Sequence, residues 1–164
     1  MIACFDVDYQ EDTANVGGII FLNWEDETPF KTYEFVQENI AAYIPGEFYK
    51  RELPCLMGIL DSITEPIDII IVDSYVWLAD DKKGLGAYLY EKLNKSIPVI
   101  GVAKNKFKRT DRAQEVFRGE SQKPLYVTAA GIDPVLAAEF IKKMAGEFRF
   151  PTLLKAVDHL ARKW

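Results

Sequence analysis

Near residue 45 the hydrophobic pattern of this 164-residue chain changes period, and that change leaves few folds open. Before it, "IACFDVDY" (Ile2–Tyr9), "GGIIFLNW" (Gly17–Trp24) and "KTYEFVQENI" (Lys31–Ile40) are β-rich segments separated by polar turns. Three strands so close together predict an antiparallel meander. After it, Tyr49–Ser62 has helical spacing, "IDIIIVD" (Ile67–Asp73) is a short continuous apolar run, and "GLGAYLYEKLNK" is helical again. "IPVIGVA" (Ile97–Ala103) and "PLYVTAA" (Pro124–Ala130) are two further runs, and "DPVLAAEFIKKMAGEF" and "PTLLKAVDHLARKW" close the chain as helices. Continuous apolar runs alternating with helices predict parallel strands covered on both faces. The expected fold is therefore α/β: three antiparallel strands, then parallel ones, with helices on both sides of the sheet. The polar stretch "NKFKRTDRAQEVFRGESQK" (Asn105–Lys123) is expected to be irregular, and the whole of 1–164 to form one domain.

Hydrophobic residues make up 49% and charged residues 27%, a globular profile and not a disordered one. A net charge of −5 excludes a polycation built for nucleic acid over its whole surface, but leaves room for a local basic patch. Cys4 and Cys55 lie in apolar runs, which predicts buried reduced thiols and a cytoplasmic protein. "MIACFDVDYQEDTANV" has no basic start of a signal peptide, and no run approaches the ~18 apolar residues of a membrane helix.

The chemistry is in the acids. Asp6 sits inside the first strand between Phe5 and Val7, where a carboxylate is unfavourable unless something requires it. Asp73 ends "IDIIIVD", at the carboxyl end of an expected parallel strand, where open α/β sheets place ligands. A right-handed crossover returning the fourth strand beside the first brings Asp73 next to Asp6. Glu52 stands near the start of the crossover helix and can lean over the same point. Taken singly, each acid also reads as an ordinary surface charge. Together they repel, and a hard divalent cation, Mg²⁺ or Mn²⁺, is the usual remedy. Asp8 is a candidate extra ligand on the same side as Asp6. A cation so held suits phosphoryl chemistry, which also needs positive charge near the scissile phosphate. Lys104 follows a buried strand at the same sheet edge, with Lys106, Lys108, Arg109 and Arg112 after it.

Four segments, "FDVDY", "YIPGEFYKRE", "IDIIIVDS" and "IPVIGVAKNKF", resemble in order the endonuclease V family, as does the closing "MAGEFRFPTLLKAVDHLA". These are nucleases of the ribonuclease-H-like fold that cut nucleic acid near deaminated adenine (inosine). The resemblance implies that Asp6, Glu52 and Asp73 hold Mg²⁺, that Lys104 contacts phosphate, and that Tyr43, Ile44 and Pro45, turned by Gly46, wedge the strand open. Lys106 is a further expected substrate contact. Where the family carries a Gly-rich stretch with a His and a Pro-Arg pair, this chain reads "SYVWLADDKKGLG"; Asp80 and Asp81 add negative charge there, and Lys82 or Lys83 is the candidate stand-in for the Arg. The family's late Gly-His pair is replaced by "VTAAGIDP". Asp133 before Pro134 reads as a helix N-cap in preference to a ligand. His159, the one histidine, reads as a helix-face residue far from the chemistry. The expected activity is a metal-dependent endonuclease acting on DNA or RNA, of repair type. The alternatives are a non-catalytic nucleic-acid- or protein-binding homologue and another ribonuclease-H-like nuclease.

Overall fold

The computed structural model describes residues 1–79, 81–107 and 111–163. Asp80, Lys108 and Arg109, counted above among the charges near the site, lie outside them. Three strands open the chain: β1 (Ile2–Gln10), β2 (Thr13–Phe21) and β3 (Lys31–Gln37). They pair antiparallel in sequence order, as their spacing predicts. α1 (Phe48–Ser62) then crosses to β4 (Ile69–Val72), which lies parallel on the other side of β1. A small separate hairpin, β5 (Trp77–Ala79) and β6 (Lys82–Lys83), leads into α2 (Leu85–Lys92). β7 (Val99–Ala103) joins β4 in parallel. β8 (Gln114–Val116), β9 (Leu125–Ala130), α3 (Pro134–Lys143) and α4 (Thr152–Ala161) complete the order. The main sheet runs β3-β2-β1-β4-β7-β9-β8.

One expected strand direction is corrected. "PLYVTAA", as β9, pairs antiparallel with β7. A parallel partner needs a crossover over a face of the sheet. No helix lies between β7 and β9 among the described residues, so the chain turns back along the same edge. The stretch expected to be irregular supplies β8, a three-residue edge strand.

Alternation along the strands splits the core. Ala3 and Phe5 face α1 and α2 with Cys55, Leu56, Ile59 and Leu89. Ile2 and Cys4 face α3 and α4 with Ile141, Leu154 and Val157. The Leu, Ile, Val and Phe side chains among them contribute about 1.5–3 kcal/mol each when fully buried. Both cysteines are buried and free. No helix among the described residues is long and apolar enough to cross a membrane.

α4 lies unusually close to the sheet. At Gly17 of β2 a Cβ would stand 3.0 Å from both Ala161 N and Val157 O, so the missing side chain lets the helix backbone come this close without crowding. Two residues earlier, Asn15 Nδ2 donates to the Ala161 carbonyl at 2.8 Å and ties down the end of the helix. Gly17 is the β2 partner of Asp6, so this packing sets the last turns of α4 against the acidic part of β1.

Candidate active site

Register alone brings the first two acids together. β1 and β4 pair from Ile2 with Ile69 to Phe5 with Val72. Asp6 and Asp73 are the next residues on each strand, side by side at the carboxyl end of the parallel ladder. In a parallel pair their side chains leave the same face, here the face covered by α4. A cavity of about 10 Å³ lies beside them, walled by Phe5, Val102, Phe150 and Leu154. Glu52, 6% exposed, comes from the first turns of α1 on the opposite face and reaches the same sheet edge.

The electrostatics show that these acids feel one another. Burial and then the Asp73 charge push the Asp6 carboxyl up to about 8. Burial, then the charges of Asp6 and Asp73, push Glu52 up to about 8 as well. Asp73 is raised by burial, a rise that the Lys104 charge opposes. Tyr9 Oη lies 3.5 Å from Glu52 Oε2, and the Arg51 guanidinium stacks on the Tyr9 ring at 3.9 Å from its centroid.

A fourth acid was not anticipated. Asp158 of α4 hydrogen-bonds Asp6. Burial works to raise Asp158, but the hydrogen bond with Asp6 and the Arg162 hydrogen bond and charge outweigh it and hold the carboxyl below the usual range. Arg162 Nε bonds Asp158 Oδ1 at 2.9 Å, and its Nη1 lies 3.8 Å from Asp8 Oδ1, so Asp8 is bridged through Arg162 to the same cluster. The available signal was an acid directly after Val157, flanking the apolar stripe of an amphipathic helix. His159, its neighbour, is exposed on the outer face of α4.

Lys104 follows β7, and its Nζ lies 4.3 Å from the Phe150 ring centroid. Its charge lowers the titration of both Asp73 and Asp158, which locates it beside them. Lys106 and Arg112 are exposed on the loop that follows. The Pro-Gly turn is a well-formed type II turn: Glu47 N donates to Ile44 O at 2.9 Å, Pro45 takes the second position, and Gly46 the third with φ +84°. Tyr43 is 59% and Ile44 49% exposed at its tip. Between this turn and the sheet edge lies a cavity of about 220 Å³ lined by Gly46, Tyr49, Ser74, Leu78, Gly84 and Phe107.

The remaining candidates are placed as follows. Lys83 bonds Glu91 at 2.7 Å and turns toward α2, whereas Lys82 and Asp81 are exposed on the β5–β6 hairpin. Asp133 is the N-cap of α3, accepting from Val135 N at 2.8 Å. Among the described residues no three His, Cys, Asp or Glu side chains stand grouped so that they could hold a metal ion as they are. The donor set suits a hard cation by its chemistry: buried, mutually repelling oxygen ligands. It is not a finished cage.

The family model for Endonuclease V matches residues 1–131. The Endonuclease V of Trichormus variabilis is 25% identical over 98% of this chain and 81% of its own length. A crystal structure of the Endonuclease V from Streptomyces avermitilis shares the fold with TM-score 0.79 at 23% identity, over 99% of this chain and 79% of that one. Ciona intestinalis Endonuclease V, solved in complex with a 24mer DNA containing an inosine followed by a ribo-adenosine, matches with TM-score 0.83 at 17% identity, over 99% and 84% of the two chains. The expected ribonuclease-H-like arrangement of a mixed sheet between helices is the one found. This chain belongs to the Endonuclease V family.

Proposed function

We propose that this protein is a divalent-cation-dependent endonuclease that hydrolyses a phosphodiester bond in a nucleic acid near a deaminated base. The observation that carries the reading is the convergence of Asp6, Asp73, Glu52 and Asp158 at one sheet edge, where burial and mutual charge raise three of the four. Buried acids held so close destabilise the fold unless protons or a cation neutralise them. Asp6, Glu52 and Asp73 are the residues that would hold Mg²⁺ or Mn²⁺, with Asp158 adjoining through Asp6. Bound there, a divalent cation supplies an activated water and charge stabilisation at the phosphate.

The chain's own residues have separable tasks in this reading. Lys104 presents its ammonium to a phosphate oxygen beside Asp73, while the Phe150 ring holds the side chain in place. Tyr43 and Ile44, exposed on a turn at the rim of the cavity, enter the strand and part the stack. Unstacking a nucleotide costs a few kcal/mol, least at a damaged or mismatched base. The cavity lined by Tyr49, Leu78 and Phe107 then receives the displaced base. Ser74, directly after Asp73, links that cavity to the acids.

The direct test is cleavage of inosine-containing oligonucleotides, single- and double-stranded, as DNA and as RNA, with Mg²⁺ or Mn²⁺ and with a chelator. Internal cleavage that needs the cation and disappears in Asp6→Asn and Asp73→Asn is expected. A second reading, a homologue that binds nucleic acid without cutting it, is favoured by the lack of a finished cage among the described acids. Retained binding with no cleavage across the whole panel would select it.

A further inference from the structure

The segment between α3 and α4 is held with unusual force. Arg118, 5% exposed, sends its guanidinium into the loop and donates to five carbonyl oxygens. Nη2 reaches Met144 at 2.6 Å and Gly146 at 3.3 Å, Nη1 reaches Phe148 at 2.8 Å and Arg149 at 3.1 Å, and Nε reaches Lys142 at 3.4 Å. At the tip of this pinned loop stands Phe148, 71% exposed and the most exposed large hydrophobic among the described residues. A single exposed aromatic is common on protein surfaces; this one is set apart by the hydrogen-bonded loop beneath it and by its neighbours in the candidate site.

The residues on either side of Phe148 connect it to the candidate site. Arg149, the next residue, donates through Nη2 to the Lys104 carbonyl and, at 2.7 Å, to that of Pro124. Phe150 carries the Lys104 ammonium on its ring. From the other side, Lys155 of α4 sits with its Nζ 5.9 Å from the Phe148 ring centroid. Lys155 is one helical turn before Asp158, which bonds Asp6, and residues three apart on a helix are neighbours. The loop thus borders the acids on the α4 face, whereas the Tyr43–Gly46 turn borders them on the α1 face.

We propose that Phe148, with Lys155 beside it, is a second contact surface for the nucleic-acid strand: a base stacks on the exposed ring and the neighbouring phosphate meets the ammonium. The surface lies across the acids from the Tyr43–Ile44 tip, so the strand runs over the sheet edge from one face to the other. The proposal rests on the nuclease reading of the site. Its chemistry fits an unpaired strand, because stacking needs an open base face, and base–aromatic stacking is worth about 1–3 kcal/mol per base. Glu147, adjacent and exposed, disfavours a purely electrostatic contact and leaves the ring as the principal element.

The test is fluorescence anisotropy with a labelled inosine-containing single strand, in Ca²⁺ so that binding is read without turnover. Phe148→Ala is expected to weaken binding roughly five-fold or more at an unchanged melting temperature. Phe148→Trp is expected to bind as the wild type does, with added indole emission that is quenched by the oligonucleotide. Lys155→Ala is expected to weaken binding less and to flatten its salt dependence. Wild-type affinity in Phe148→Ala, or indole emission indifferent to the strand, overturns the surface while the nuclease reading stands. Failure of the wild-type protein to bind any strand overturns the nuclease reading, and the surface with it.

Discussion

The two flanks of the acid cluster present aromatic residues in opposite ways. On the α1 side, residues 41–46 are all exposed, and the turn is closed by one backbone hydrogen bond from Glu47 to Ile44. A Cβ on Gly46 would meet nothing within 4 Å. On the α4 side, Phe148 stands on a loop whose carbonyls converge on one buried guanidinium. The first tip is free to shift as a strand is opened, and the second is a fixed platform. Compliance belongs where the nucleic acid must be deformed, and rigidity where it must only be held.

The largest expected effect concerns what lies between the flanks. Asp6 and Glu52 titrate near 8 in the folded chain, far above their unfolded values of ~4. Their folded forms bind the extra protons, so their contribution to stability is complete below pH ~4 and is lost as pH rises toward 8. In chelator, the melting temperature should fall steeply between pH 5 and pH 9, and Mg²⁺ should restore it far more at pH 9 than at pH 5. A flat profile in chelator would mean that the acids stand apart. Asp6→Asn should make the profile shallower, leaving the part carried by the buried Glu52.

The next largest effect separates the two flanks. Arg118→Met removes a charged donor from one buried and four part-buried carbonyls and should cost about 3 kcal/mol, or roughly 6–12 °C in melting temperature. A loss below about 1 kcal/mol would show that the loop is not pinned as described. Lys104 connects that loop to the acids, so Lys104→Ala should lower turnover by roughly a hundred-fold with little change in stability. An equal loss of stability would make it a structural lysine. The smallest effect is expected at the free turn. Gly46→Ala meets no neighbour and bears only the strain of a positive φ, about 1 kcal/mol.

The same contrast explains what could be read in advance. The α1 flank is contiguous in sequence: Tyr43 to Glu52 contains the tip, the turn and one acid, and Pro45-Gly46 states its turn type locally. Asp73 was legible beside Asp6 because a parallel register follows from the strand order. The α4 flank is assembled from distant pieces. Asp158 reaches Asp6 only because Gly17 and Asn15 let α4 settle on β2, a packing event with no local signature. Arg118 sits in a polar stretch that looked irregular, and its partners lie 24 to 31 residues further on. The direction of β9 was misread because a short apolar run does not record whether the chain crossed a face or turned back.

The central claim, that these acids share one divalent cation, is tested most directly by titrating the chelator-stripped protein with Mn²⁺ and following free Mn²⁺ by electron paramagnetic resonance at pH 8. Saturable binding is expected, weakened about ten-fold or more in each of Asp6→Asn, Glu52→Gln and Asp73→Asn, with each variant folded. Wild-type protein that takes up no Mn²⁺, or variants that bind it as the wild type does, would contradict the account.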